Sequence, residues 1–237
     1  MINKHFQLAI GIFLVCATPA NAQPLFNFIT RTTIPIVIQC PGCNNANRGK
    51  RPSTPAQNTV SSAGAKLSYR PSTAVHERTI AQIIANTRAQ DPASAQKIAQ
   101  LLSSRNIVAK VHQDMPRLGL QPNNVADAYA LYWTSAWQGT RGLNDDLPKS
   151  QMIAVRNQAA SALLKIPQFR SATDAQKQEM TEIMIIQAAF ILISIEEAKS
   201  DPTLLAQTQK AISQGAKNFG LDLEKMTLTA QGFRPAN

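Results

Sequence analysis

The chain carries a Cys-Pro-Gly-Cys motif, and cysteines at this spacing serve thiol-disulfide enzymes, metal sites or structural disulfides. Cys40 and Cys43 are followed by Asn-Asn-Ala-Asn-Arg, which is a poor helix sequence. A thioredoxin-type centre needs its first cysteine at a helix N-terminus, where the helix dipole stabilises the thiolate. Structural zinc needs four ligands, and His76 and His112 have no metal-like spacing. The sequence therefore favours a short disulfide across the Pro-Gly turn, with an intermolecular disulfide as an open variant.

Acidic and amide side chains form a second candidate site. The sequence contains no Glu-x-x-His spacing, calcium loop, nucleotide-binding glycine pattern or Gly-x-Ser-x-Gly elbow. We therefore expect no cofactor and no metal, and we assign no catalytic residue. Six polar residues on three predicted helices would form a buried network or a polar pocket if they met. They are Asp127, Arg156, Gln158, Lys177, Gln178 and Glu182.

The first 22 residues have the layout of a secretory signal peptide. Lys4 precedes an apolar run over residues 6–17, and Ala20-Asn21-Ala22 forms a small-x-small cleavage site. The run is too short for a membrane anchor, which needs about 20 apolar residues. We expect an exported protein, in the periplasm or, as the alternative, fully secreted.

Basic charge is concentrated in the segment that follows, residues 23–71. This segment holds six lysines and arginines and no acidic residue, whereas residues 72–237 hold 17 basic and 14 acidic residues, a net charge of +3. Its Pro, Asn, Ser, Thr and Gly content predicts an extended, largely disordered arm. The run Ile34-Pro-Ile-Val-Ile38 is its β-prone stretch and has no partner nearby in sequence. We expect such a strand to pair with something else.

After Pro71 the apolar residues follow the period of amphipathic helices. The fold class is therefore all-α, a single bundle of about six or seven helices over residues 72–237, preceded by the extended arm. The apolar run over residues 183–195 is bracketed by glutamates and is shorter than a membrane span, so it predicts a central core helix. The aromatic stripe of Tyr129, Trp133 and Trp137 is expected to pack in the core. The helices are expected near 72–89, 92–104, 106–118, 124–138, 149–166, 174–199 and 202–219.

Four short motifs resemble a family of exported bacterial proteins with a domain of unknown function. The similarity covers residues 67–237, and the arm with its Cys-Pro-Gly-Cys motif lies outside it. The resemblance implies an exported helical domain and implies no activity. The motifs are Leu67-Ser-Tyr-Arg-Pro-Ser72, Asn124-Val-Ala-Asp-Ala-Tyr129, Asp174-Ala-Gln-Lys-Gln-Glu179, and Leu221-Asp-Leu with Leu228-Thr and Gly232-Phe233.

These observations favour a binding or scaffold protein of the bacterial cell envelope that acts without catalysis. The expected partner is a protein or an anionic envelope polymer, with no specific nucleic acid, and the mature chain is expected to have no membrane span. The oligomeric state stays open. One alternative is an envelope enzyme with a polar site between helices, and another is a thiol-disulfide protein using Cys40 and Cys43. The expected contact residues of the arm are Ile34, Ile36, Val37, Ile38, Arg48, Lys50 and Arg51.

Overall fold

The protein is a helical bundle with a small C-terminal hairpin. The computed structural model describes residues 66–236, apart from the side chains of residues 90, 93–94 and 104–105. In that range the helices are α1 (Thr73–Gln90), α2 (Pro92–Arg105), α3 (Ile107–Asp114), α4 (Val125–Gly139), α5 (Lys149–Leu163), α6 (Pro167–Arg170), α7 (Asp174–Ala198) and α8 (Pro202–Asn218). Short 3-10 turns, Met115–Leu118 and Leu223–Lys225, follow α3 and α8, and the strands are β1 (Met226–Thr229) and β2 (Gly232–Pro235). The all-α prediction is confirmed.

Local capping chemistry sets several of these helix boundaries. The Asn124 side chain accepts hydrogen bonds from the first turn of α4, and Asp201 does the same for α8. Gly119 and Gly220 adopt the left-handed conformation, with φ of 77° and 75°. In each case the next residue donates a backbone hydrogen bond back across the turn, as in a Schellman closure. These caps are encoded within a few residues, which is why the predicted helices match the observed ones closely.

Helix α7 forms the centre of the bundle and contacts α1, α3, α4 and α8. Every residue from 181 to 191 is buried, because the helix is apolar on nearly all sides and is covered by its neighbours. It is long and apolar enough to cross a membrane, yet 83% of its most apolar window is buried inside the domain. Core helices of soluble proteins share these properties.

The aromatic stripe of α4 is part of the core. Tyr129 and Trp133 are 3% and 5% exposed, and their rings meet edge to face with centroids 6.0 Å apart. Trp137 is partly buried against Phe233 of the hairpin, and the Arg141 guanidinium lies 4.2 Å from its ring centroid. The expected core packing of these rings is confirmed, and Trp137 also connects the bundle to the hairpin.

The C-terminal hairpin is a feature that the sequence analysis did not predict. β1 and β2 are antiparallel, and they pair Leu228 with Phe233 on the buried face. Strands of four residues give too little alternation to distinguish them from irregular chain. Their stability comes instead from the bundle, because Trp137 Nε1 donates a hydrogen bond to the Met226 carbonyl at 2.9 Å.

The packed domain begins before α1, at residue 67. Leu67 and Tyr69 are 4% and 7% exposed, and both belong to the buried core. The Tyr69 amide donates to the Asn123 carbonyl at 3.1 Å, and Ser68 forms an isolated β-bridge with Asn124. The end of the segment assigned to the arm is therefore folded onto the bundle. The polar composition of this segment concealed this, because Ser68 and Tyr69 bond to Asn124 and Asn123, about 55 residues away in the chain.

Candidate functional site

The best-defined polar site holds residues 68–72, which we call the anchor segment, against the first half of α7. The Gln178 side-chain amide pairs with both backbone groups of Ser72: Oε1 accepts from the amide at 2.8 Å, and Nε2 donates to the carbonyl at 2.9 Å. The Arg70 amide donates to Asp174 Oδ2 at 3.2 Å. Backbone groups outside regular structure need such partners when they approach the protein interior. The side chains of α7 thus supply hydrogen-bond partners for the backbone of Arg70 and Ser72, which belong to no helix or strand.

Glu182 extends this site to α1. Its carboxylate is 3% exposed, accepts a hydrogen bond from Gln178 Nε2 at 2.8 Å, and lies 3.0 Å from His76 Nδ1. Burial lowers the pKa of His112, and the electrostatic effect of His76 adds to this. Burial raises the pKa of Tyr69, and the negative charge of Glu182 adds to that effect. The arrangement can fasten α1 and the anchor segment to α7.

A second polar pair consists of Asp127 on α4 and Arg156 on α5, which interact electrostatically although no hydrogen bond joins them. Asp127 is 1% exposed, and neither of its carboxylate oxygens has a hydrogen bond of good geometry among the described residues. Burial raises the pKa of Asp127 to about 6, and the nearby Gln121 backbone and the Arg156 guanidinium offset this only in part. Such a carboxyl group can gain or lose a proton near neutral pH.

The six predicted polar residues therefore divide into three places. Gln178 and Glu182 are bonded to each other, and Lys177 Nζ contacts the Ser68 carbonyl at 3.4 Å in the same region. Asp127 and Arg156 form the separate pair described above. Gln158 lies elsewhere, because its amide binds both the N–H and the C=O of Phe233 in β2, each at 2.8 Å.

Three members of the anchor site were not assigned to it from the sequence. His76 was considered only as a possible metal ligand, Tyr69 was part of a family motif, and Ser72 contributes only its backbone. A weak signal was available, since Glu182 and Gln178 are polar residues four positions apart within a strongly apolar helix. Polar side chains in such a position need partners, but the sequence does not say which distant residues supply them.

We expect Gln178→Leu to loosen the anchor segment and to lower the free energy of unfolding by about 2 kcal/mol. The substitution removes both hydrogen bonds to Ser72 and leaves buried groups without a partner. Hydrogen exchange at the Ser72 amide should become faster than in the wild type. Gln214→Leu, on the exposed face of α8, serves as the matched control. Unchanged protection of the Ser72 amide would contradict the anchoring role.

An apolar cavity lies at the other end of α7, between α3, α4, α7 and the loop over residues 140–148. Its volume is about 80 Å³. The Asn144 side chain donates to Glu196 Oε2 at 2.9 Å, and Gln138 donates to the Asp145 carbonyl at 2.7 Å, which fixes the loop at one side of the mouth. None of the six predicted polar residues lines this cavity. Its apolar walls include Val111, Leu131, Met152, Leu192 and Ile193, and its carboxylates are Asp114, Asp145, Asp146 and Glu196.

The arm residues predicted to make contacts lie outside the described residues, as do Cys40 and Cys43. The disulfide and the contact role of the arm therefore stay predictions. Within residues 66–236 there is no group of three or more histidine, cysteine or carboxylate side chains that could hold a metal ion. The sites that the structure describes are the anchor site, the Asp127 and Arg156 pair, and the apolar cavity.

The comparisons with known proteins identify a family. No curated protein and no solved structure matches the chain. A family model does match, over residues 6–235, and this span includes the arm as well as the bundle. The matched span therefore begins earlier in the chain than the predicted resemblance, which covered residues 67–237. The matched model describes a family of unknown function (DUF6683), and this chain belongs to that uncharacterised family.

Proposed function

We propose that this protein is an exported binding or scaffold protein of the bacterial cell envelope, which acts through partner contacts without catalysis. The observation that carries the proposal is the unequal distribution of charge. Residues 23–71 hold six basic residues and no acidic residue, whereas the remaining 17 basic residues beyond the signal segment face all 14 acidic ones. A basic segment attached to a nearly balanced body suits an anionic partner.

The anchor site supports this role because it joins the arm to the centre of the bundle. Ser68, Arg70 and Ser72 are each bonded to a side chain of α7. A partner bound to the arm is thereby connected through a few residues to the long central helix α7. The body has its own core, which runs from Leu67 to Phe233 among the described residues.

The chemistry of the arm indicates the class of partner. Arg48, Lys50 and Arg51 form a basic cluster, and the run over residues 34–38 is apolar and β-branched. An anionic envelope polymer would bind the basic cluster, and a protein partner would add contacts with the apolar run. Electrostatic binding weakens with salt, since the Debye length falls from about 10 Å at 0.1 M to about 3 Å at 1 M.

Removing residues 23–65 should abolish binding to isolated bacterial envelopes while the bundle stays folded. Leu67 and Tyr69 are retained because they belong to the core. Co-sedimentation with envelope fragments measures the binding, and circular dichroism checks the helical content. We expect binding of the mature protein to fall as salt is raised.

An arm of reduced positive charge tests the electrostatic part of this binding. Replacing Arg48, Lys50 and Arg51 by glutamine keeps the length of the arm and removes half of its six basic residues. We expect this variant to bind the envelope more weakly than the wild type and to show a smaller salt dependence. Full binding by the protein lacking residues 23–65 would contradict the proposal.

A second candidate function is an envelope enzyme acting through Asp127, Arg156 and Glu182. The raised pKa of Asp127 favours it, since perturbed pKa values cluster at functional sites. Asp127 is buried and is not among the residues that line the apolar cavity, which favours a structural role instead. The envelope experiment separates the two, because Asp127→Asn should retain envelope binding if the arm carries the function.

A further inference from the structure

We propose that the apolar cavity beside α7 is a binding site for a small neutral alcohol, a molecule with a short aliphatic chain and one hydroxyl group. The chain occupies the apolar part of the cavity, and the hydroxyl bonds to Ser135 and Gln138 of α4. This inference goes beyond the proposed function, because the site is built only from residues of the bundle and does not involve the arm.

The cavity combines apolar walls with an opening to solvent. Val111, Leu131, Met152 and Ile193 line it from α3, α4, α5 and α7, so apolar side chains surround a ligand on several sides. Asp145 also lines the cavity and is exposed, which places an opening at the loop over residues 140–148. Burying the aliphatic part of a ligand here is favourable by about 25 cal/mol per Å² of apolar surface.

The Ser135 hydroxyl is a polar group of the cavity wall without a partner. Ser135 is 3% exposed, and its hydroxyl makes no hydrogen bond to any residue between 66 and 236. A molecule of the size of water can still reach this oxygen, unlike the enclosed carboxylate oxygens of Asp127. Because Ser135 lines the cavity, the oxygen is reached from there. Buried hydroxyl groups normally have a hydrogen-bond partner, so a ligand in the cavity supplies the one that Ser135 lacks.

A second hydrogen-bonding group lies one turn further along α4. Gln138 also lines the cavity and is 6% exposed. Its Nε2 donates to the Asp145 carbonyl at 2.7 Å, which holds the amide in place, and its Oε1 accepts no hydrogen bond from another described residue. Side chains three residues apart on a helix are neighbours, with about 5–6 Å between their Cβ atoms. One ligand hydroxyl can therefore accept from the Ser135 hydroxyl and donate to Gln138 Oε1.

The charges of the lining favour a neutral head group over an anion or a cation. No described lysine or arginine lines the cavity, so a carboxylate ligand lacks a counter-charge there and meets four protein carboxylates. A cationic head group gains little, because Asp114, Asp146 and Glu196 already have interaction partners. Asp145 is exposed, and an ion pair at an exposed position contributes little.

The volume of the cavity limits the length of the aliphatic chain. The cavity measures about 80 Å³, whereas an apolar cavity of about 150 Å³ holds one benzene molecule. On this scale roughly three or four non-hydrogen atoms fit inside. A butanol molecule bonded to α4 through its hydroxyl therefore fills the cavity, and the end of its chain reaches the opening.

Titration of residues 23–237 with 1-butanol tests the inference by NMR. We expect saturable shifts of the methyl resonances of Leu131, Met152 and Ile193, which line the cavity, and none at Ile98 in the core near α2. Butyrate and butylammonium carry the same chain with a charged head group, and each should bind about tenfold more weakly or less. An absence of saturable shifts with 1-butanol would overturn the inference. Equal or tighter binding of either ion would do so as well.

Two variants locate the bound alcohol. Ser135→Ala removes the hydroxyl and should weaken 1-butanol binding by about three- to tenfold. Ser161→Ala, at an exposed position of α5, is the matched control and should bind like the wild type. Ala189→Val adds bulk to the cavity wall and should abolish the saturable shifts, while an unchanged Ile98 resonance shows that the fold is intact. Wild-type affinity in Ser135→Ala would overturn the assigned site.

The result of this titration is independent of the envelope-binding result. The titration contains no envelope, and the co-sedimentation experiment contains no alcohol. Loss of one kind of binding with retention of the other therefore identifies which of the two proposals fails.

Discussion

Replacing Asp127 with asparagine should raise the free energy of unfolding at neutral pH by about 3 kcal/mol. Burial raises the pKa of Asp127 from 3.8 to about 6 in the folded protein. Above both values the folded state must hold an ionised carboxylate in an apolar site, and a difference of about two pKa units costs ~3 kcal/mol. Asparagine keeps the shape and removes the charge. The gain is an upper value, because Arg156 loses its counter-charge in the variant.

The pH dependence of stability gives the sharper form of this prediction. Between pH 3.8 and about 6 the folded protein binds a proton at Asp127 that the unfolded chain releases. Stability contributed by this group is therefore present at low pH and lost as the pH rises through about 6. The wild type and Asp127→Asn should have similar stability near pH 4 and differ fully above pH 7.

Urea unfolding at a series of pH values measures this difference. Asp145→Asn, at an exposed loop position, is the matched control and should follow the wild-type profile. Parallel profiles for the wild type and Asp127→Asn would contradict the prediction. They would mean that the carboxyl group has the same proton affinity in the folded and unfolded chains.

Shortening Ile195 to alanine should lower the free energy of unfolding by about 3–4 kcal/mol. Ile195 is 0% exposed and lies in the second half of α7, where the helix is enclosed by the bundle. The loss combines the transfer of apolar atoms with the cavity left behind, which neighbours fill only in part. The measurement is urea unfolding of residues 23–237 in aqueous solution.

Leu192→Ala is the matched control, because Leu192 lies on the same helix and lines the apolar cavity with only partial burial. We expect it to lower the free energy of unfolding by no more than about 1 kcal/mol, because the Leu192 side chain buries less apolar surface than Ile195 does. Equal, small losses at both positions would contradict a core role for α7. They would favour a helix whose apolar faces are not enclosed by the bundle.

The helices could be predicted because their signals are local. Asn124, Asp201, Gly119 and Gly220 mark helix ends through hydrogen bonds that reach only a few residues along the chain. The apolar periodicity between these caps then fixes which faces are buried. The hairpin escaped prediction because its strands are short and its stability comes from Gln158 and Trp137, which are distant in sequence.

The anchor site could be predicted only in part. Gln178 and Glu182 are recognisable as polar residues that need partners inside an apolar helix. Their partners, His76 and the backbone of Ser72, are 106 residues away, and no periodicity connects the two segments. The prediction also grouped Gln158 with these residues because it is a polar residue near an apolar helix face. In the structure Gln158 instead binds Phe233 of the hairpin.

The sequence by itself determined the helical class, the helix boundaries and the concentration of basic charge before residue 72, because each depends on composition or on interactions within a few residues. The tertiary structure alone decided that Leu67 and Tyr69 belong to the core and that Gln178 holds Ser72. It also decided that Asp127 is buried beside Arg156 and that a cavity with carboxylates at its mouth lies beside α7. These features arise where helices far apart in the chain meet, and the packing of the whole core selects those contacts.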